Sequence, residues 1–189
     1  LMPGVVVSLL NEKTKDLQQW QYKGGLKDYL LQTLDAELLI PEFEGEGHAD
    51  AQHESFAEGE GASWCLAFSS EGPLVRESYV NLIPTPAGGT HEAGLREGLY
   101  QAVKSFIDLH ALLPKGVKLM PEDVFARASF VLSAKVLDPQ FQGQIKERLN
   151  SRDAVRLVAG YVRPALDLWL NDHVAHGKAL AEFVIRTAQ

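Results

Sequence analysis

Apolar side chains recur at helical spacing in three parts of the chain. A short amphipathic helix before Pro41 is predicted by Leu26, Leu30, Leu31 and Leu34. Thr90, a residue type favoured at helix N-caps, is predicted to cap a second helix that ends near Leu112. The apolar face of this second helix is predicted to consist of Leu95, Leu99, Val103, Phe106 and Ile107.

A third helical section is predicted from Ser151 onward, with its apolar face on Val155, Val158, Val162, Ala165, Leu166 and Trp169. Pro164 falls inside this section and lacks the backbone N–H that a helix interior needs. We therefore predict that the helix is kinked or restarted at Pro164 and again near Gly177.

Other segments carry short runs of β-branched and aromatic residues bounded by turn residues. Residues 5–10 and 17–22 are predicted to form a hairpin. Residues 64–68 and 78–83 are predicted to be strands that pair with each other, because a turn signal lies between them. Residues 128–137 form so continuous an apolar run that a buried strand is predicted.

Residues 41–61 show neither the helical spacing nor the strand-like runs of the other segments. They contain seven acidic side chains, no basic ones and four glycines, so we predict a mobile acidic loop with one edge strand near Phe56. Strands and helices mixed in this order, without a visible internal repeat, predict an α+β sheet covered by helices.

Composition narrows the class of protein. With 189 residues and 46% hydrophobic side chains, the chain has enough apolar surface for one ordinary domain, so overall disorder is not expected. No apolar run approaches the roughly 18 residues that a membrane span needs, so no membrane is expected among the partners. Cys65 is the only cysteine, which excludes an internal disulfide and a zinc ribbon and favours a reducing, cytoplasmic setting. The start at Leu1, without a signal sequence, predicts a segment of a longer chain.

The formal charge is −7, but it is unevenly distributed. Residues 1–75 carry 4 basic and 13 acidic side chains, whereas residues 115–163 carry 9 basic and 5 acidic ones. The total charge argues against a protein that binds nucleic acid over its whole surface. The basic region, residues 115–163, is nevertheless able to face phosphates.

Three segments in order carry a family resemblance: residues 79–85 followed by Gly88-Gly89-Thr90-His91-Glu92, then residues 121–124, then residues 138–141 followed by Gln144-Ile145-Lys146. This order resembles the transducer domain of the ATPase subunits, or B subunits, of bacterial type IIA topoisomerases, over essentially the whole chain. Residues 20–22 with 25–30, and residues 113–119, look more like the topoisomerase IV branch of this family than the gyrase branch.

The resemblance implies a two-layer α+β fold that fills residues 1–189 as one transducer domain. Its sheet is expected to be mostly antiparallel with helices on one face, and residues 150–189 are expected to be mainly a long C-terminal helix. The resemblance also implies a left-handed crossover, although parallel strands are usually connected with the right-handed sense.

The family cuts one DNA duplex, passes another through the break with the use of ATP, and reseals it. The resemblance implies that this segment couples the nucleotide state to gate movement and that it is inactive alone. ATP and Mg²⁺ are then cofactors of the whole enzyme, with neither expected on this fragment. The implied partners are the ATPase and Mg²⁺-binding domains of the same polypeptide, a second copy of that polypeptide, the topoisomerase A subunit and duplex DNA.

Gln144 and Lys146 match family residues that reach the γ-phosphate of ATP bound in the neighbouring ATPase domain. A lysine ammonium is a compact donor that neutralises charge on a transferring phosphoryl group, and a glutamine amide donates to a phosphate oxygen. Ile145 stands where the family usually has threonine, so any role of that hydroxyl is absent.

Arg96 matches a family arginine that faces the cavity through which a duplex passes. A solvated helix arginine explains the same residue equally well, because both roles leave the same trace in a sequence. Basic residues that extend such a surface, or simply face water, are Lys115, Lys118, Arg148, Arg152 and Arg156.

Several other patterns favour structure over chemistry. Gly88-Gly89 lacks the later glycine or the lysine of known nucleotide-binding motifs, so a tight turn before a capped helix is predicted. His91-Glu92 begins like a zinc-protease motif, but Leu95 stands where the second histidine is required. His173 and His176 are spaced as metal ligands, yet scattered polar residues on a helix account for them. Cys65 lies in a predicted strand and is interpreted as a buried thiol.

Two functions of other classes stay open at this point. One is a stand-alone nucleic-acid-binding module, which needs a coherent basic face. The other is a structural interaction domain, in which Gln144 and Lys146 have no catalytic partner. An ATPase fold encoded upstream of Leu1 would reject both.

Overall fold

A five-stranded sheet forms the centre of the structure, a computed structural model that describes residues 25–34, 36–137, 141–142, 148–149 and 153–189. The strands are β1 (Phe43–His48), β2 (Gly61–Phe68), β3 (Arg76–Val80), β4 (Ile83–Pro84) and β5 (Ala128–Lys135). Their order in the sheet is β1-β2-β5-β3-β4. Neighbouring strands are antiparallel except for β3 and β5, which are parallel. The hairpin predicted for residues 5–22 lies outside the described residues.

Helices cover both faces of this sheet. They are α1 (Gly25–Thr33), α2 (Thr90–Leu109), α3 (Pro121–Phe125), α4 (Asp153–Asp172) and α5 (Val174–Ala188). Alternate residues of β2 point to opposite faces, so Trp64 and Leu66 join the large core formed with α2 and α4. Cys65 and Ala67 join a smaller core with α1 on the other face. The predicted α+β class is confirmed, and α1 adds a helix on the face that was expected to be bare.

Helices α2 and α4 pack at very close range because glycines line their contact. A Cβ atom added to Gly94 would lie 2.6 Å from the backbone oxygen of Val155 and 2.9 Å from Cβ of Val158. One added to Gly98 would lie 3.2 Å from Cα of Ala159. The predicted apolar face of α2 is confirmed, since Leu95, Leu99, Val103, Phe106 and Ile107 are all buried.

The prediction that residues 64–68 pair with residues 78–83 is wrong. Strand β5 lies between β2 and β3, and the chain runs from β3 to β5 through β4, α2 and α3. Seven of its eight residues are buried, and only Lys135 is exposed. A strand that is apolar on both faces belongs at the centre of a sheet, which separates the two strands that a short turn joins. The hand of the crossover between the parallel strands stays a prediction.

The predicted strand at residues 78–83 is also divided. Asn81 and Leu82 have positive φ angles of 50° and 67° and turn the chain between β3 and β4. The Asn81 side chain donates to the Val136 carbonyl at 2.9 Å and accepts from the Val136 N–H at 3.0 Å. This pair of hydrogen bonds continues the contact of β3 with β5 beyond the end of the strand.

The edge strand of the acidic stretch is residues 43–48, not the neighbourhood of Phe56. Its glycines are required for packing: a Cβ atom on Gly45 would lie 2.8 Å from the Trp64 ring, and one on Gly47 would lie 2.3 Å from the Tyr161 ring. In the sequence these glycines resemble loop signals, whereas in the fold they let β1 approach bulky aromatic side chains.

The C-terminal section consists of two helices, and the restart predicted near Gly177 lies at His173, whereas the helix does not restart at Pro164. Helix α4 continues through Pro164. His173 leaves helical geometry, with φ −127° and ψ 61°, and its backbone N–H donates to the Trp169 carbonyl at 3.0 Å. Gly177 is helical, and a Cβ atom there would lie 2.6 Å from the Phe106 ring, so packing explains the glycine.

Helix α1 is held on its face of the sheet by two tyrosines that share one carboxylate. Tyr79 donates its hydroxyl to Glu77 at 2.8 Å, and Tyr29 donates to the same oxygen at 3.0 Å. Burial first, and then the charge of Glu77, raise the pKa of Tyr79 well above its usual value. The Tyr79 hydroxyl therefore stays protonated and keeps donating at any ordinary pH.

Candidate functional site

The loop predicted to reach the γ-phosphate is framed by a short antiparallel pair, β6 (Phe141–Gln142) and β7 (Arg148–Leu149). Phe141 lies opposite Leu149, and Gln142 lies opposite Arg148. Gln144, Ile145 and Lys146 lie outside the described residues. Their contact with nucleotide stays a prediction.

The start of α2 depends on two glycines with unusual backbone angles. Gly88 has φ +76° and Gly89 has φ +143°, both in the region that residues with side chains rarely adopt. The Gly88 N–H donates to the Thr85 carbonyl at 2.9 Å, which closes a tight turn. The prediction that Gly88 and Gly89 make a turn before a helix is confirmed.

The prediction that Thr90 caps this helix with its side chain is wrong. Gly89 occupies the N-cap position and Thr90 is the first helical residue. The Oγ1 atom of Thr90 is buried and has no hydrogen-bond partner among the described residues. The turn places Thr90 one position too far along the chain for its hydroxyl to reach the free N–H groups of the first turn.

A buried polar network joins the start of α2 to the sheet. The Ser78 hydroxyl lies 2.9 Å from that of Thr85, and Ser78 also donates to the Glu92 carboxylate. Thr85 Oγ1 donates to the Ser78 carbonyl at 2.9 Å and lies 2.9 Å from Nε2 of His91. The motif residues Thr85, His91 and Glu92 therefore orient α2 relative to β3, which is a structural role that the sequence did not reveal.

His91 is fully buried in this network. Its Nδ1 atom has no hydrogen-bond partner within the described ranges, so only Nε2 is engaged there. Burial lowers the pKa of His91 to about 4. The imidazole is therefore neutral in the folded protein at physiological pH.

We expect stability to fall as the pH is lowered through the range from 6.5 to 4. In the unfolded chain His91 takes up a proton near its ordinary pKa of 6.5, whereas in the folded protein it resists protonation down to about 4. The stabilisation is thus complete above 6.5 and is lost below it, by about 2 kcal/mol between pH 7.5 and pH 5. Urea unfolding at several pH values measures the effect. A His91→Gln variant, which has no proton to gain, should show a shallower pH dependence; an identical dependence would contradict this role.

Arg96 lies on α2 with its side chain 39% exposed. Its guanidinium donates to the carboxylate of Glu122 on α3, whose side chain is 67% exposed. The sequence placed Arg96 on this helix correctly, but it offered no signal for Glu122 as its partner. Whether Arg96 contacts DNA stays a prediction.

Two further arginines lie at the same end of the sheet. Arg76 donates from Nε to the Ala128 carbonyl at 3.0 Å and from Nη2 to the Phe125 carbonyl at 2.7 Å. Arg127 donates to the Ser69 carbonyl at 2.9 Å and to the Gly72 carbonyl at 2.7 Å. Burial lowers the pKa of Arg76; Glu92 opposes this shift, and the charges of Arg127 and Arg96 add to it. These two arginines tie loops to strand ends.

The described part of the chain contains no candidate metal site. Nowhere in it do three or more His, Cys, Asp or Glu side chains lie close enough together to hold an ion. The rings of His173 and His176 lie 6.1 Å apart and each stacks on Trp169. Cys65 is buried in β2, as predicted. In the same described ranges, no helix combines the length and apolar character required to cross a membrane.

Sequence comparison relates this chain to known proteins. Residues 25–189 match the DNA gyrase B family. The B subunit of DNA topoisomerase 4 from Pseudomonas aeruginosa is 44% identical over 189 residues, covering 100% of this chain and 29% of the relative. The protein of the same name from Escherichia coli is also 44% identical, over 192 residues with the same coverage.

Solved structures share the fold. The topoisomerase IV ATP-binding domain of Francisella tularensis, solved with a small-molecule inhibitor, superposes with a TM-score of 0.71 at 35% identity. That match covers 87% of this chain and 42% of the other. The 43K ATPase domain of Thermus thermophilus gyrase B, solved with an aminocoumarin, gives a TM-score of 0.76 at 23% identity and covers 88% and 43%. The second similarity supports the fold alone.

Proposed function

The chain belongs to the DNA gyrase B family, and from that membership we propose that it is the transducer segment of the ATP-hydrolysing subunit of a type IIA topoisomerase. The observation that carries the proposal is the 44% identity to topoisomerase 4 B subunits over the whole chain. Such a segment couples ATP binding and hydrolysis to the movement of a DNA gate. The identity favours the topoisomerase IV branch over the gyrase branch.

The chain spans 29% of the length of these relatives. We therefore propose that other parts of the same polypeptide supply most of the ATP site. The adenine pocket, most phosphate contacts and the Mg²⁺ ligands belong to other parts of the same polypeptide. Supporting this division, the chain covers 42% of a solved topoisomerase IV ATP-binding domain, so that structure also extends well beyond the region it shares with this chain. The partners we propose are those other domains, a second copy of the polypeptide, the A subunit and duplex DNA, in the cytoplasm.

Within this division, Lys146 and Gln144 are proposed to reach the γ-phosphate. Charge spreads over the equatorial oxygens of a phosphoryl group during transfer, and a positioned ammonium stabilises it. The antiparallel pair of Phe141–Gln142 with Arg148–Leu149 supports the proposal, because it anchors both ends of the segment that holds these side chains. When ATP is bound it supplies the free energy for gate movement, and the chain's own contribution is to contact its terminal phosphate.

Arg96 is proposed to face the passing duplex. Its partial exposure and its position on α2 support this role, since a phosphate-binding guanidinium must be reachable from solvent. The polar network of Ser78, Thr85 and His91 would then hold the helix that presents it.

We expect the chain by itself to show no ATP hydrolysis above buffer. It contributes at most two contacts to a site whose other groups lie elsewhere, and a single lysine does not organise phosphoryl transfer. Steady-state phosphate release by the purified chain and by its Lys146→Ala variant measures this, with a mock purification that lacks the chain as the control for a contaminating ATPase. Hydrolysis that survives in the variant and copurifies with the chain would contradict the transducer assignment.

We expect duplex DNA to bind the isolated chain weakly, without sequence preference and with strong salt dependence. The basic residues are dispersed and the net charge is −7, so binding would rest on a few phosphate contacts that release counterions. Fluorescence anisotropy with two unrelated duplexes at about 50 and about 200 mM salt tests this. Tight binding at the higher salt, or discrimination between the duplexes, would favour a stand-alone nucleic-acid-binding module instead.

A further inference from the structure

Three arginines gather at one end of the sheet, but they differ in what occupies their donors. Arg76 and Arg127 donate to backbone carbonyls at 2.7–3.0 Å, and these carbonyls lie at the end of α3, at the start of β5 and in the loop after β2, which the two side chains fasten. Another anion cannot replace such a carbonyl without opening the loop. The guanidiniums of Arg76 and Arg127 therefore stabilise the fold and are not available to bind another anion.

Arg96 has a different kind of partner. Among the described residues it is paired with one side-chain carboxylate, that of Glu122, and both side chains are accessible to water at 39% and 67% exposure. Exposed ion pairs are weak, because water and salt screen them and because long side chains lose freedom when they pair. The Arg96 guanidinium is thus in contact with a carboxylate that another anion is able to displace.

Neighbouring acids are occupied elsewhere. The Asp123 carboxylate accepts from the Met120 N–H at 2.8 Å and so caps α3. The Glu92 carboxylate accepts from the Ser78 hydroxyl. Glu97, next to Arg96 in the chain, accepts from the Gln101 amide at 2.8 Å. Glu122 is the acid that the geometry places on the Arg96 guanidinium.

We propose that Glu122 is an internal competitor for the phosphate that binds Arg96. The inference rests on the proposed function, in which Arg96 faces a passing duplex. Without DNA the carboxylate neutralises Arg96 and fixes its direction, and a backbone phosphate displaces it by offering two oxygens to the guanidinium fork. The contact stays weak enough to release, which a duplex in transit requires.

Removing the competing charge should strengthen DNA binding at Arg96. We expect Glu122→Gln in the complete subunit to raise affinity for a labelled duplex about two- to five-fold at low salt. The slope of log affinity against log salt should steepen by up to about one unit, as expected when one more cation is available to a phosphate. Glu97→Gln is the matched control, since it removes the same charge from the adjacent position and leaves the Arg96–Glu122 pair in place.

A double-mutant cycle of Glu122→Gln and Arg96→Ala gives the decisive result. DNA affinity is measured for each variant by fluorescence anisotropy across a salt series. The gain from Glu122→Gln should vanish in an Arg96→Ala background. A gain equal to that of Glu97→Gln, or one that persists without Arg96, overturns the competitor role and leaves the DNA role of Arg96 intact. If Arg96→Ala alone leaves DNA affinity and its salt slope unchanged, the DNA role of Arg96 fails and the competitor role fails with it.

Discussion

Replacing Lys146 by alanine in a complete subunit is expected to slow ATP hydrolysis about 100- to 1,000-fold, a loss of roughly 3–4 kcal/mol of transition-state stabilisation. The ammonium meets more charge in the transition state than in bound ATP, so the rate should suffer much more than nucleotide affinity. Adenine and the α- and β-phosphates keep their contacts in other parts of the polypeptide. Single-turnover hydrolysis and equilibrium nucleotide binding separate the two effects.

Three further variants sharpen the result. Gln144→Ala should act in the same direction but more weakly, because a neutral amide makes a weaker hydrogen bond than an ammonium. Lys146→Arg keeps the charge but changes its shape, so partial activity is expected. Lys178→Ala, at an exposed position of α5, should leave hydrolysis unchanged. Hydrolysis at the parental rate by Lys146→Ala would show that this lysine is a solvated surface charge.

Gly94→Ala is expected to lower the free energy of unfolding by about 2 kcal/mol, although alanine is the better helix former by about 1 kcal/mol. The added methyl group would lie 2.6 Å from the backbone oxygen of Val155 on α4. A backbone atom cannot move aside as a flexible side chain does, so the two helices must separate and loosen the core around Leu95 and Val158. Gly94→Val should cost about 3 kcal/mol or more for the same reason.

Gly160→Ala supplies the matched control, because Gly160 lies in α4 on an exposed position with nothing within 4 Å of an added Cβ atom. Here only the helix preference acts, so the free energy of unfolding should rise by up to about 1 kcal/mol. Chemical unfolding followed by circular dichroism compares the two variants. Equal effects at the two positions would mean that the helices do not meet at Gly94 as closely as the structure has them.

The pattern of apolar residues correctly predicted the elements whose burial depends only on the spacing of those residues along the sequence. The repeat of Leu95, Leu99 and Val103 predicted the buried face of α2, because side chains three and four positions apart lie on one side of any α-helix. The unbroken apolar run of β5 predicted a buried strand. Gly88 and Gly89 predicted a turn for a local reason as well, since few other residues adopt their backbone angles.

Elements with a distant partner were predicted less well. Residues 43–48 have the glycines that usually signal a loop, but in the fold Gly45 and Gly47 face the rings of Trp64 and Tyr161. Likewise Pro164 is accommodated within α4, while the break falls at His173. Spacing along the chain carries no information about which ring or strand will lie opposite.

The sequence by itself determined the family resemblance, the α+β class and the placing of Arg96 on a helix after a glycine turn. Only the tertiary structure decided the order of the strands, because the most apolar strand takes the centre of the sheet whatever its position in the chain. It also decided the partners of charged groups: Glu122 lies 26 positions from Arg96, and folding brings α2 and α3 together. The physical reason is the same in both cases, since packing joins surfaces that match in shape and charge, and the chain connects them in an order that periodicity does not encode.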